Sequence, residues 1–209
     1  MKSYRLLCLS FLILAVTGCA VGNQYDYQSA KVSLPLIGDG DLGLGVLDNR
    51  SYVLSGEKTP DFIGLQRGGF NNPFNVTTAS GQSLTDDMSM SIQNALRSSG
   101  YTVTSLRFPS RDSSIVESTI AESGKAKNIV LTVTEWKTDI YMNMTLYFDL
   151  LLQVFTKDGD AIASNEMQGK ETVGGGALEG QNSRTAASAF ETKIGRLFNH
   201  PEIIEALKN

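Results

Sequence analysis

The sequence predicts an α+β fold, a single mixed and largely antiparallel sheet with helices packed mainly on one face. Strand-like runs on either side of "TKDGD" (156–160) alternate apolar and polar residues. Segments 83–99 and 183–198 instead place apolar residues at helical spacing. Along the chain the elements run strand, strand, loop, helix, strand, helix, strand, hairpin, helix, an interleaving that builds one sheet with helices laid against it.

Each element has its own signal. "AVGNQYDYQSA" (20–30) has little apolar periodicity and reads as a tether. The apolar runs 31–37 and 42–48 flank "GDGD" and read as two strands joined by a tight turn. The stretch 50–81 is rich in glycine, contains Pro60 and Pro73, and is expected to hold short strands at 51–54 and 62–65 followed by an exposed loop. From Ser83 to Ser99, Leu84, Met88, Ile92, Ala95 and Leu96 fall on one helical face, Asp86 and Asp87 suit the positive end of the helix dipole, and Gly100 stops it. "YTVTSLRF" (101–108) reads as a strand, 112–123 as a weaker helix ended by Gly124, and 128–136 as another strand. Asp158-Gly159 is the pair a tight hairpin turn prefers. Before it, Leu146, Phe148, Leu150, Leu152 and Val154 point to the core; after it, Ser164, Glu166, Gln168 and Lys170 form a polar face. "GGGALEG" (174–180) breaks the sheet, Ser183–Phe198 forms the last long helix on Ala186, Phe190, Ile194 and Leu197, and Pro201 opens a short terminal helix.

The N-terminus carries a different kind of signal. Lys2 and Arg5 precede Leu6–Val16, eleven residues without a charge, which is too short to cross a bilayer core of about 30 Å as a helix. "VTGC" (16–19) follows and resembles the lipobox of bacterial lipoproteins. That resemblance implies a signal peptide over 1–18, a lipidated Cys19 at the head of the 19–30 tether, and a periplasmic domain over 31–209. Ala20, where an Asp would resemble an inner-membrane retention signal, points to the periplasmic side of the outer membrane. More than one acyl chain is needed for lasting attachment, so palmitate and diacylglyceryl groups on Cys19 are expected to hold a body that meets the membrane only through its anchor.

Composition narrows the function classes. Without Lys2 and Arg5, 16 basic residues face 22 acidic ones, a charge of −6, which disfavours nucleic acid as a partner. Cys8 leaves with the signal peptide and Cys19 is lipidated, so the body holds no thiol and no disulfide, and burial alone must stabilise it. A body of this length suits one domain.

The lipobox, the "GY-x-V" strand after a helix in "LRSSGYTVTSL" (96–106), the long glycine-turned hairpin and the C-terminal helix resemble the YajG-like family of small outer-membrane lipoproteins over residues 83–207. More distantly the layout resembles the periplasmic modules of the curli-secretion lipoprotein and of lipoprotein activators of peptidoglycan synthases. The resemblance implies a partner that is an envelope protein or is related to peptidoglycan, and assigns no binding residue.

Few residues suggest chemistry. "GDGDLG" (38–43) matches G-x-G-x-x-G, but a strand follows where a dinucleotide site needs a helix, and Asp39 and Asp41 would repel phosphate. Asp39 with Asp41, and Asp158 with Asp160, offer two carboxylates each, too few alone for a Ca²⁺ shell. The single histidine, His200, sits at a helix end without the spaced partners of a triad or zinc site, so neither catalytic residue, metal nor cofactor is expected. Trp136 and Tyr141 read as half-buried sheet residues. The candidate partner-binding residues are Arg67, Phe70 and Phe74 in "DFIGLQRGGFNNPFNV" (61–76), because Arg with aromatics is the composition of interface hot spots. The alternative is that both Phe rings tuck inward as a lid. The expected function is binding or scaffolding of another envelope component without catalysis. A homo-oligomeric subunit of an envelope or secretion assembly, and a lipid or glycan carrier or hydrolase, are the alternatives.

Overall fold

The computed structural model describes residues 23–68, 70–176 and 179–208, the side chains of Glu179 and Gly180 excepted. In chain order the strands are β1 (Gln24–Tyr25), β2 (Asp41–Asp48), β3 (Phe62–Arg67), β4 (Pro73–Thr78), β5 (Thr102–Ser105), β6 (Lys127–Ile140), β7 (Met144–Thr156) and β8 (Ala161–Gly174). The helices are α1 (Ser51–Leu54), α2 (Leu84–Ser98), α3 (Ser113–Glu122), α4 (Glu179–Phe198) and α5 (Pro201–Leu207). The fold is α+β with one mixed sheet, as the sequence predicts.

The axis of the sheet is β6. One of its edges pairs antiparallel with β7 along its whole length, from Lys127↔Thr156 to Ile140↔Met144, and β7 pairs antiparallel with β8. The other edge of β6 forks. Its first half takes β2 in parallel up to Asp48↔Val133, and β5 lies parallel beyond β2. Its second half takes β3 in parallel from Gly64↔Thr138, with β4 antiparallel beyond β3 and β1 parallel to β4. The fork coincides with a bulge in β6 between Val133 and Glu135.

Period-two alternation divides the sheet into two faces. Ile129, Leu131 and Val133 of β6 and Leu146, Leu150, Leu152 and Val154 of β7 bury against one side, where α2, α4 and α5 supply Met88, Ile92, Phe190, Ile194 and Ile203. Val130 and Phe155 point the opposite way and meet Val116 and Ile120 of α3. The long helices therefore share one face, and α3 covers part of the other. Ser83 caps α2 by accepting from the Asp86 N–H, and Asp112 caps α3 by accepting from the Ser114 N–H.

Several local expectations are corrected. Residues 31–37 form no strand; Val32 and Leu36 bury as irregular chain, so an apolar run here signals burial without pairing. Residues 51–54 are a turn of helix, too short for periodicity to reveal. The expected loop after β3 returns as β4, making 62–78 a hairpin. The stretch read as tether is body from Asn23 onward: β1 pairs with β4, and Tyr25 and Tyr27 are completely buried. Trp136, expected to be half-buried, is also completely enclosed, with Tyr27 and Phe190 edge-on around it. In place of a hairpin turn, the first glycine of "GDGD" serves close packing: a Cβ on Gly38 would run into the Tyr101 ring, whereas one on Gly40 would meet it only at ordinary contact distance. A Cβ on Gly43 would collide with the Asn128 carboxamide, which accepts from Ser123 and ties the start of β6 to the end of α3.

Candidate interaction surface

Because β3 is parallel to β6, the tips of two hairpins emerge at the same end of the sheet. The β3–β4 tip, 68–72, is closed by hydrogen bonds from Gly68 N–H to the Asn72 carbonyl and from Asn71 N–H to the Gly68 carbonyl. Asn71 occupies the left-handed region at φ 64°, where Asn is tolerated. This closed turn holds Phe70 away from the body, 95 % exposed. The β6–β7 turn, 141–143, sets Tyr141 and Met142 out at 57 % and 75 % exposure. Phe74 lies on the flank of the first hairpin, 39 % exposed, with its ring against Gly68.

Arg67 belongs to the rigid part of this end. Its Nε and Nη2 donate to the two carboxylate oxygens of Asp139 at 2.8 and 2.7 Å, a bidentate pair that locks β3 to β6. Hydrogen bonding from Arg67 holds the Asp139 carboxyl below the usual carboxylate range, and the Lys137 and Lys170 charges act in the same direction. Behind this pair, Lys137 bonds Glu135 at 3.0 Å and lies over the rings of Tyr52 and Tyr147, while Lys170 covers Tyr147 as well. The polar ladder occupies the face that α3 leaves open.

Of the sequence-predicted contacts, then, the structure brings Arg67, Phe70 and Phe74 onto one hairpin, with the Arg67 guanidinium already paired and Phe70 fully presented. Cys19 lies outside the described residues. Asp139, Tyr141 and Met142 were missed as members of this surface. The available signal was the short "YMN" turn (141–143), in which two large apolar residues sit between paired strands with no core to enter.

No family model and no curated protein matches the chain. Among solved structures it is similar to the protein XCC0632 of Xanthomonas campestris, at 13 % identity and a TM-score of 0.49, over 81 % of this chain and 87 % of that one. It is similar to the lipoprotein GNA1162 of Neisseria meningitidis at 14 % identity and a TM-score of 0.38, over 76 % and 99 % of the two chains. The PelC dodecamer of Paraburkholderia phytofirmans is a third, at 13 % identity and a TM-score of 0.42, over 81 % and 96 %. Likeness at this level gives the chain neither a family nor a function.

At the opposite end of the sheet, α3, the β7–β8 turn and the end of β2 enclose a half-open cleft of about 590 Å³. Leu47, Val116, Val130 and Phe155 form its apolar floor, and Arg111, Glu117, Asp158 and Asp160 stand around it. Arg111 is engaged with the Asp48 carbonyl, and Asp158 makes an exposed pair with its neighbour Lys157 at 2.6 Å. Among the described residues no group of three or more His, Cys, Asp or Glu side chains is arranged to hold a metal ion. His200 is the N-cap residue of α5, and Asp41 pairs with Lys125 at 2.7 Å. The glycines 174–176 are also structural: Asn182, itself buried, accepts from the Gly176 N–H and donates to its carbonyl.

Proposed function

We propose that this is a lipid-anchored protein of the bacterial cell envelope, held on the periplasmic side of the outer membrane through Cys19, whose body binds or scaffolds another envelope component and performs no catalysis. The observation that carries the reading is the N-terminal sequence. A basic start, eleven uncharged residues and "VTGC" end at a cysteine only four residues before Asn23, the first of the described residues and already hydrogen-bonded to β4. A removable leader and an anchored body would meet at that point. Two-chain or three-chain acylation at Cys19 would give lasting attachment, which the body's mixed-charge surface could not provide. The cleft under α3 is one concave surface that a partner would find open.

The test is metabolic labelling in a bacterial host. The wild-type chain should take up palmitate, lose its leader and fractionate with the outer membrane. Cys19→Ala should accumulate as an unprocessed precursor without label. Equal labelling of the two proteins would remove the basis of the reading.

A further inference from the structure

We infer that the two hairpin tips carrying Phe70, Tyr141 and Met142 form the membrane-facing end of the body and dip into the lipid headgroup region beside the anchor. The inference rests on the anchor reading of Cys19 and adds to it an orientation and a second, non-covalent contact with lipid.

Strand direction places the anchor. β1 is parallel to β4, with Gln24↔Thr77 and Tyr25↔Thr78, and β4 runs away from the hairpin tip. β1 therefore enters the body from the tip end of the sheet. Asn23 is fixed at this level: its carbonyl accepts from the Thr77 N–H at 3.1 Å, and its side-chain amide donates to Gln66, the β3 residue paired with both Phe74 and Ile140. From the level of Val76 to Pro73, where the turn begins, the strand rises about 10 Å. The four residues from Cys19 to Asn23 span at most about 14 Å when fully extended. A lipid on Cys19 thus has its surface within reach of the tips, and the tether is too short to turn the body's other end to the membrane.

The side chains at this end suit a lipid surface. Phe70, Tyr141 and Met142 are the large apolar groups that the two adjacent turns expose, at 95, 57 and 75 %. Exposed aromatic residues with amphipathic neighbours are favoured at the headgroup boundary, where the apolar part leaves water and polar groups remain hydrated. Around Asp139, immediately behind the tips, the three cations Arg67, Lys137 and Lys170 face the two carboxylates of Asp139 and Glu135, a small local excess of positive charge in a chain that is acidic overall. That excess complements anionic headgroups. The Gly68–Asn72 hydrogen bond and the Arg67–Asp139 pair fix the strand ends directly beneath the tips.

The experiment uses the lipidated protein purified from membranes and reconstituted into phosphatidylethanolamine–phosphatidylglycerol vesicles, with a fraction of the lipids brominated near the acyl carbonyl. Phe70→Trp places a reporter at the tip, and Ile162→Trp places one on β8 at the opposite end, where Ile162 is 47 % exposed. The native Trp136 is buried and supplies the common background. The tip reporter should be quenched several-fold more strongly than the Ile162→Trp reporter. Vesicle-bound, acylated protein with no excess quenching at position 70 would overturn the inference and leave the anchor standing, including the case in which a protein partner or a second copy covers the tip. Protein that carries no acyl group and does not bind vesicles would overturn the anchor reading, and this inference with it.

Discussion

A guanidinium at a hairpin flank gains little from one loose surface contact, but Arg67 presents two donors to one carboxylate and joins two strands distant in sequence. Removing it should therefore affect folding as well as any surface function. Arg67→Ala should lower stability modestly, in a way that depends on pH. The folded state depresses the Asp139 carboxyl, chiefly through hydrogen bonding from Arg67, so the pair's contribution is fully present above the unfolded carboxylate value near about 4. It is lost as pH falls through the lower folded value. Urea unfolding should show a steady gap between wild type and Arg67→Ala near neutrality that closes on acidification, and Asp139→Asn should show the same convergence. A gap independent of pH would deny the pair its role. Asp87 contributes in the opposite sense: burial raises its carboxyl, opposed by the Ser80 hydroxyl bond, so its ionisation becomes less favourable to the fold as pH rises.

At the scale of elements, the β7–β8 hairpin is set by alternation. Leu150 is completely buried between β6 and β8, paired with Val133 and Met167, so Leu150→Ala should cost about 2–5 kcal/mol through lost transfer energy and a residual cavity. Equilibrium denaturation would measure it, and a loss below about 1 kcal/mol would place Leu150 outside the main core. This hairpin was legible because β7 keeps a period of two from Met144 to Val154, and α2 because fifteen residues keep a helical one. β4 was not legible: "PFNVTT" begins with proline and only Val76 and Thr78 are buried, so its strand character comes from pairing with β3 on one side and β1 on the other. The segment 31–37 misled in the reverse direction, since its apolar residues bury without a ladder. Of the surface at the hairpin tips, composition pointed to Phe70 and Arg67, but the Arg67–Asp139 pair spans 72 positions and follows only from strand register. Tyr141 and Met142 become exposed only because their turn lies beyond the end of the core.

Across the whole molecule, the sheet holds together only if the two branches that share the edge of β6 are joined where neither pairs with it. β2 leaves after Val133 and β3 arrives at Thr138, so the intervening residues of β6 lack a strand on that side. Arg50 fills the junction. It is completely buried, donates from Nε and Nη2 to the two oxygens of Asp48 at 2.8 and 2.7 Å, and donates further to the carbonyls of Phe62 and Pro60. One side chain thereby ties the last residue of β2 to the first of β3. From the adjoining helix α1, the Tyr52 hydroxyl donates to Glu135 at 2.7 Å, beside the bulge. Arg50→Ala would strip the guanidinium from a nearly buried carboxylate, leaving it one backbone N–H, and from the Phe62 and Pro60 carbonyls, of which Pro60 keeps the Leu84 N–H; this should cost about 3–5 kcal/mol. Replacing both members, Arg50→Met with Asp48→Leu, removes the uncompensated charge and should recover much of that loss, though not the bonds to Phe62 and Pro60. Hydrogen exchange distinguishes a junction from a merely buried pair. In Arg50→Ala, protection should fall first in β3, β4 and β1, the branch that carries the exposed tips, while β6, β7 and β8 retain theirs. A uniform loss over all the strands, or a double variant no more stable than Arg50→Ala, would mean that the branches are held together by general burial and that Arg50 is not what couples the tip-bearing branch to the rest of the sheet.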